Sequence, residues 1–253
     1  MVNEIEETNL LEGDLPIAVA FDTNMYFNLF FDQLTQLLLK KYNKPPFPIN
    51  FICSNGVKTE LTGYEWKYKN NDIEDIKRVC YRPNIIDNFF NQNKLTSREW
   101  HLGHIDYLES IEFTYSKIVD IEDEITNDDM DSKIIEGIVK EISQQDLKLF
   151  LYSQDSDFIS RAKGNRNIVP IYLEKVPYYK LGHHLFSEWE SFLRLLYILS
   201  VTFGAIELTF DEKSFIIYGI WKGKKYGHWE QKCIKIVSTD KIIQNIRKIK
   251  KKS

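Results

Sequence analysis

Apolar positions along this chain fall into two kinds of pattern. Ile17-Ala-Val-Ala-Phe21 is short and continuous, as in a strand buried on both faces of a parallel sheet. It ends at Asp22-Thr-Asn24, and a helical pattern follows from about Met25 to Tyr42, stopped by Pro45-Pro46. The stretch from Ile49 to Cys53 predicts a second strand, with Ser54-Asn55-Gly56 as its turn and a helix from near Val57. From Asp72 to Thr96 the pattern is poor and predicts helix fragments and loop. Arg98 to Phe113 predicts a helix, and Lys117 to Ile121 a third strand. Ile134, Ile135, Ile138, Val139 and Ile142 make one apolar helical face. Leu147 to Tyr152 predicts a fourth strand and Ile168 to Leu173 a fifth, which Pro170 assigns to a sheet edge.

Strands alternating with helices over roughly residues 15–175 predict an α/β fold with a parallel sheet, three layers deep as α/β/α. The pattern then changes. Phe186 to Leu199 predicts an amphipathic helix, and Ala205 to Phe210, Ser214 to Trp221 and Trp229 to Val237 predict a small antiparallel meander. The expected organisation is an extension over residues 1–14, a main domain over 15–180, and an addition over 181–253 that ends in a basic tail.

Composition narrows the possibilities. With 253 residues, 43% of them apolar, the chain can bury a full core. Its net charge of -4 excludes coating nucleic acid through bulk charge but allows a local basic groove. No apolar run approaches the roughly 20 residues that span a bilayer, so no membrane partner is expected. Cys53, Cys80 and Cys233 form no CxxC pair, so neither a disulfide scaffold nor a structural zinc site is expected. Met1 to Asp14 is acidic and lacks the basic start and apolar stretch of a secretory signal, so a cytoplasmic location is expected.

The informative chemistry is where the acids fall. In open parallel sheets, sites form beyond the carboxyl ends of the strands. Asp22 lies just past the first strand, and Asp155 and Asp157 just past the fourth. Glu60 follows the second by less than two helical turns, and Asp131 lies near the start of the helix after the third. Clustered carboxylates repel and raise each other's pKa. Such hard oxygen donors suit Mg²⁺ or Mn²⁺ rather than zinc, and such ions can activate water against a phosphodiester.

Four motifs in this order carry a family resemblance. Phe21-Asp22-Thr23-Asn24 after an apolar strand resembles the opening motif of the PIN domain nucleases. Val57-Lys-Thr-Glu60-Leu61 resembles the helix that supplies the family's next acid, and Asp131-Ser-Lys-Ile134-Ile135 its Asp-x-x-Ile helix start. Leu151-Tyr-Ser-Gln-Asp155-Ser-Asp157-Phe158 resembles the strand ending in Ser/Thr-x-Asp. The resemblance implies a metal-dependent endonuclease, most often acting on RNA, with Mg²⁺ or Mn²⁺ as cofactor. It implies Asp22, Glu60, Asp131 and Asp155 as the metal-binding catalytic acids, with Asp157 as an extra ligand. Asp128 and Asp129 are close rivals of Asp131, but only Asp131 has an isoleucine three residues on. Thr23 and Asn24 would orient Asp22, and together with Lys58, Arg161, Lys163 and Arg166 they form the expected substrate-contacting set. Expected partners are RNA or single-stranded DNA, an antitoxin or other protein, and a second copy of the chain.

Other features read as packing or solvated surface. His101 and His104, one helical turn apart, have no evident third metal ligand, and His183-His184 reads as a surface pair. Trp221, Lys222, Lys224, Lys225, Tyr226, His228, Trp229 and Lys232 interleave bases with aromatics, as a nucleic-acid surface or a plain hairpin would. The competing functions are a structure-selective DNA nuclease and a non-catalytic scaffold on the same fold. A dehalogenase-like phosphatase wants a second acid where Asn24 stands.

Overall fold

The run Ile17–Phe21 forms the central strand β1, and none of its 5 side chains is more than 3% exposed. Successive strand side chains point to opposite faces, so both faces of β1 are covered. The computed structural model describes residues 7, 13–43, 49–62, 68–80, 83–86, 95–113, 116–121, 130–174, 188–210, 213–219 and 234–238. The chain divides into two compact units, residues 1–63 with 100–180 and residues 64–99 with 181–253. The segment 64–99, assigned from sequence to the main domain, thus groups with the second unit.

The first unit is built on β1, β2 (Asn50–Ser54), β3 (Ser116–Val119), β4 (Lys148–Ser153) and β5 (Ile168–Tyr172). The five strands form one sheet in the order β3-β2-β1-β4-β5, and every pairing is parallel. This is an α/β architecture consistent with three α/β/α layers. Register sets Val19 beside Phe51 and Phe21 beside Tyr152. On that face Phe21 meets Tyr26 and Phe30 at ring distances of 5.7 and 5.4 Å, and Phe51 meets Phe31 and Phe113 at 5.0 and 5.1 Å. Strand β5 is the edge strand expected of a segment with Pro170, which has no N–H for a further neighbour.

The helices are α1 (Thr23–Phe27), α2 (Phe30–Tyr42), α3 (Asn55–Leu61), α4 (Asn70–Val79), α5 (Pro83–Ile86), α6 (Leu95–Glu112), α7 (Met130–Gln145) and α8 (Ser156–Ala162). The single helix expected from about Met25 to Tyr42 is instead two, broken at Asn28-Leu29. Leu29 takes φ 53, a left-handed conformation that disfavours a leucine by roughly 1–2 kcal/mol. Its side chain is buried at 2% exposure, and Asp106 of α6 accepts from the Phe31 and Asp32 amides at 3.1 and 3.0 Å, capping α2 from outside. Apolar burial and a borrowed cap hold the break.

In the second unit, α9 (Trp189–Thr202) is followed by β6 (Ile206–Phe210), β7 (Lys213–Gly219) and β8 (Ile234–Ser238), an antiparallel meander in the order β6-β7-β8. A buried Arg98 donates to Val201 O at 3.0 Å, satisfying a carbonyl at the C-terminal end of α9. The acids at 122–129, His183-His184, the basic and aromatic residues 221–232 and the tail 247–253 lie outside the described residues. Among the described residues no helix is long and apolar enough to cross a membrane.

Candidate active site

From β1 the sheet continues to β2 on one side, and from β4 to β5 on the other. The strand order reverses there, which leaves a crevice beyond the carboxyl ends of β1 and β4. Asp22 is the first residue past β1. Its amide donates to Tyr152 O at 3.0 Å, and the residue is 5% exposed. Its carboxylate accepts from Thr23 N at 2.6 Å, Asn24 Nδ2 at 2.5 Å and Ser153 Oγ at 2.6 Å. Both strand ends therefore grip one carboxylate.

Ser153 is the hub of this grip. It has no exposed surface, and its hydroxyl accepts from Asn24 Nδ2 at 3.1 Å and from Asp155 N at 2.8 Å while donating to Asp22. Asn24 adds a second tie, its Oδ1 accepting from Gln154 N at 3.0 Å. Sequence reasoning did not count Ser153 among the site residues, although it is the serine of the Ser/Thr-x-Asp motif that ends β4. Its role comes from the register: Phe21 beside Tyr152 puts residues 22 and 153 side by side. Strand order, and hence that register, is not visible in sequence.

Two more acids join from elsewhere. Thr23 Oγ1 donates to Glu60 Oε2, linking α1 to α3. Burial pushes Asp22 from 3.8 up to about 6; the Ser153 and Thr23 hydrogen bonds oppose the rise, and the charges of Asp131 and Glu60 add to it. Burial also raises Glu60, opposed by its bond from Thr23 and reinforced by the Asp131 charge. Thr23 thus ties Glu60 to the Asp22 end of β1, and the charge of Asp131, from a third segment, adds to the rise of both carboxyls.

The remaining expected residues are placed differently. Asp155 is exposed, and its Oδ1 accepts from Asp157 N at 2.7 Å and Phe158 N at 3.4 Å as the N-cap of α8. It is tied to Asp22 through its backbone amide and the Ser153 hydroxyl. Asp157 is exposed in the first turn of α8. Arg161, also exposed, donates to Ser132 Oγ at 3.3 Å, beside Asp131 on α7. Lys163 and Arg166 are exposed past α8, and Lys58 is exposed on α3. Asp128 and Asp129 lie outside the described residues.

Among the described residues no group of three or more His, Cys, Asp or Glu that could hold a metal ion is found. The fit to a hard cation therefore rests on donor chemistry and charge. Asp22, Glu60 and Asp131 offer only oxygen donors, and a cation among them would counter the repulsion that raises Asp22 and Glu60. Comparison with family models, curated proteins and solved structures gives no match to this chain. The molecule is defined instead by its own architecture: a parallel α/β protein with a buried aspartate at the switch point of its sheet, its carboxyl raised by burial and by the charges of Asp131 and Glu60.

Proposed function

We propose that the first unit is a PIN-like, divalent-metal-dependent endonuclease acting on single-stranded RNA. The observation that carries this reading is Asp22, a buried carboxylate held from both strand ends and repelled by Glu60 and Asp131. The four motifs that resemble the PIN nucleases fall at the end of β1, on α3, at the start of α7 and at the end of β4, in the family's order. Asp22, Glu60 and Asp131 would hold Mg²⁺ or Mn²⁺, with Asp155 and Asp157 on the adjoining rim. The ion's contribution is to lower the pKa of water and to offset charge at the scissile phosphate.

The chain's own residues do the rest. Ser153 and Asn24 fix the Asp22 carboxylate in one orientation, and Thr23 fixes Glu60. Arg161, Lys163 and Arg166 offer exposed cations past β4 for backbone phosphates. A non-catalytic nucleic-acid-binding scaffold is the second reading, favoured by the use of the Asp155 carboxylate as a helix cap.

The test is incubation of the full chain with labelled single-stranded RNA and DNA in Mn²⁺, Mg²⁺ or excess chelator. RNA cleavage in Mn²⁺ or Mg²⁺ and none in chelator is the expected result. Asp22→Asn should slow cleavage by at least about a hundredfold, the lower end of what losing one preorganised catalytic group costs. DNA cut in preference to RNA moves the reading to a DNA nuclease. Full activity in chelator ends the metal-nuclease reading, and RNA binding without cleavage leaves the scaffold.

A further inference from the structure

Helix α6 lies against α1 and α3 across a glycine. A Cβ on Gly103 would sit 3.0 Å from Leu61 Cδ2, 3.1 Å from Phe27 Cδ1 and 3.3 Å from the Phe27 backbone nitrogen. A side chain there would push the helices apart. Aromatic and basic groups gather along this seam. The Trp100 and Phe27 rings are 5.5 Å apart, and both residues are half-buried. His104 follows Gly103 directly, and His101 lies one turn before it, both half-buried. On α3, Lys58 precedes Leu61 by one turn, so it shares the face that packs on Gly103, and it is exposed.

Helical spacing puts His101 and His104 on one face of α6, and Lys58 one turn from Leu61, which packs on Gly103. The proton on His104 is disfavoured first by burial and then by the charges of His101 and Lys58. The seam also adjoins the acids. Phe27 follows Thr23 by four residues on the same face of α1, about 6 Å along the axis at 1.5 Å per residue. Thr23 is the residue that binds Glu60. One end of α1 thus touches the acidic crevice, and the other touches the basic and aromatic seam.

We propose that the α1–α3–α6 seam is a second substrate-binding element, in which Lys58, His101 and His104 take a phosphate of an unpaired polynucleotide strand and the Trp100–Phe27 pair takes an adjacent base. The proposal rests on the nuclease reading and adds to it the path of the strand, from the acidic crevice along α1 onto α6. A phosphate set beside them counters the charges of His101 and Lys58 that oppose the proton on His104. Aromatic faces accept any unstacked base, and a base held in a duplex cannot reach them. The preferred ligand is therefore single-stranded, with little discrimination of sequence.

The experiment uses the full chain carrying Asp22→Asn, which should slow cleavage, and fluorescence anisotropy with short labelled single-stranded RNA, the same sequence in DNA, and an RNA duplex. Lys58→Gln with His101→Gln and His104→Gln should weaken single-strand binding by about tenfold or more. It should also flatten the dependence of log K on log salt by about 0.7 for each phosphate the protein no longer neutralises. Trp100→Leu should cost at least about fivefold, the lower end of base–aromatic stacking. Both sugars should lose affinity together, and the duplex should bind weakly throughout. Lys58→Gln alone, on an exposed side chain, separates loss of the phosphate interaction from misfolding, and unchanged melting temperatures confirm it. Unchanged single-strand affinity in both the Lys58→Gln and Trp100→Leu chains overturns the seam, even if the wild type cleaves RNA. If the wild type cleaves nothing yet these variants still lose single-strand affinity, the seam stands and the nuclease reading fails.

Discussion

Two buried aspartates in the first unit invite comparison. Asp22 and Asp106 are 5% and 1% exposed, and both accept hydrogen bonds from backbone amides at the start of a helix. Asp106 receives Phe31 N and Asp32 N and caps α2, whose own cap residue, Leu29, has no side chain able to do so. Burial pushes Asp106 well above the usual carboxylate range, and the neighbouring Glu109 on its own helix adds to the rise. Asp22 also caps a helix, but it is further held by Asn24 and Ser153 and repelled by acids from α3 and α7. Burial and capping alone therefore do not mark a functional acid. What separates the two is convergence: only Asp22 has a second strand end gripping it and the charges of two carboxylates from distant segments acting on it.

The largest expected effect lies on the structural side. Asp106→Ala leaves two buried amides without their acceptor, at roughly 1–3 kcal/mol each, so stability should fall by about 4 kcal/mol. Cleavage per folded molecule should stay as in the wild type. Urea unfolding paired with an activity assay at low temperature reads both. A stable variant without activity would reverse the roles assigned to the two aspartates.

A smaller effect is linked to pH. The folded-state pKa of Asp22 is raised from 3.8 to about 6. Between those values the folded chain keeps a proton that the unfolded chain has released, so the stability this group contributes falls as pH rises through that window. At 1.36 kcal/mol for each tenfold change in proton affinity, the ionised carboxylate costs about 3 kcal/mol above pH 6 without a bound cation. Asp22→Asn should remove that slope, so the urea midpoint of the wild type minus that of the variant should decline from about pH 4 to about pH 6. A flat difference would mean that Asp22 ionises as it does in the unfolded chain.

Ser153→Ala is milder. It deletes the donor to Asp22 Oδ2 and the acceptor for Asn24 and Asp155. The expected loss is about 1–2 kcal/mol. Without this donor, the Asp22 pKa should move further up. An NMR titration of the Asp22 carboxyl carbon follows this directly, and a fall would contradict the hub role.

Most of the sheet is legible in sequence, because a strand buried on both faces leaves an uninterrupted apolar run. Ile17–Phe21 is such a run, and the bounds predicted for it match the structure. Pro170 likewise marks an edge by the hydrogen bond it cannot give. The break between α1 and α2 is not legible, since neither glycine nor proline marks it and the apolar spacing runs straight through. What permits it is Asp106, 75 positions from Phe31. Asp22 stands out in sequence because it follows an apolar strand. Ser153 is visible only as the serine of the Ser/Thr-x-Asp motif; that it bonds the Asp22 carboxylate follows from the β1–β4 pairing, which sequence does not show. His101 and His104 read as surface or packing for want of a third ligand; the charge of Lys58 reaches His104 from another helix, through a neighbourhood that only the fold creates.

The most direct test of the contrast is the melting temperature at pH 7 with and without Mn²⁺, for the wild type, Asp22→Asn and Asp106→Asn. A cation held by the Asp22 set stabilises the folded chain by about 2.7 kcal/mol at a hundredfold excess over its Kd. The wild type should therefore gain several degrees in Mn²⁺. Asp106→Asn should gain the same increment from a lower starting point, and Asp22→Asn should gain little or nothing. An equal gain in Asp22→Asn, or none in the wild type, would contradict the claim that these three acids form a cation-dependent site.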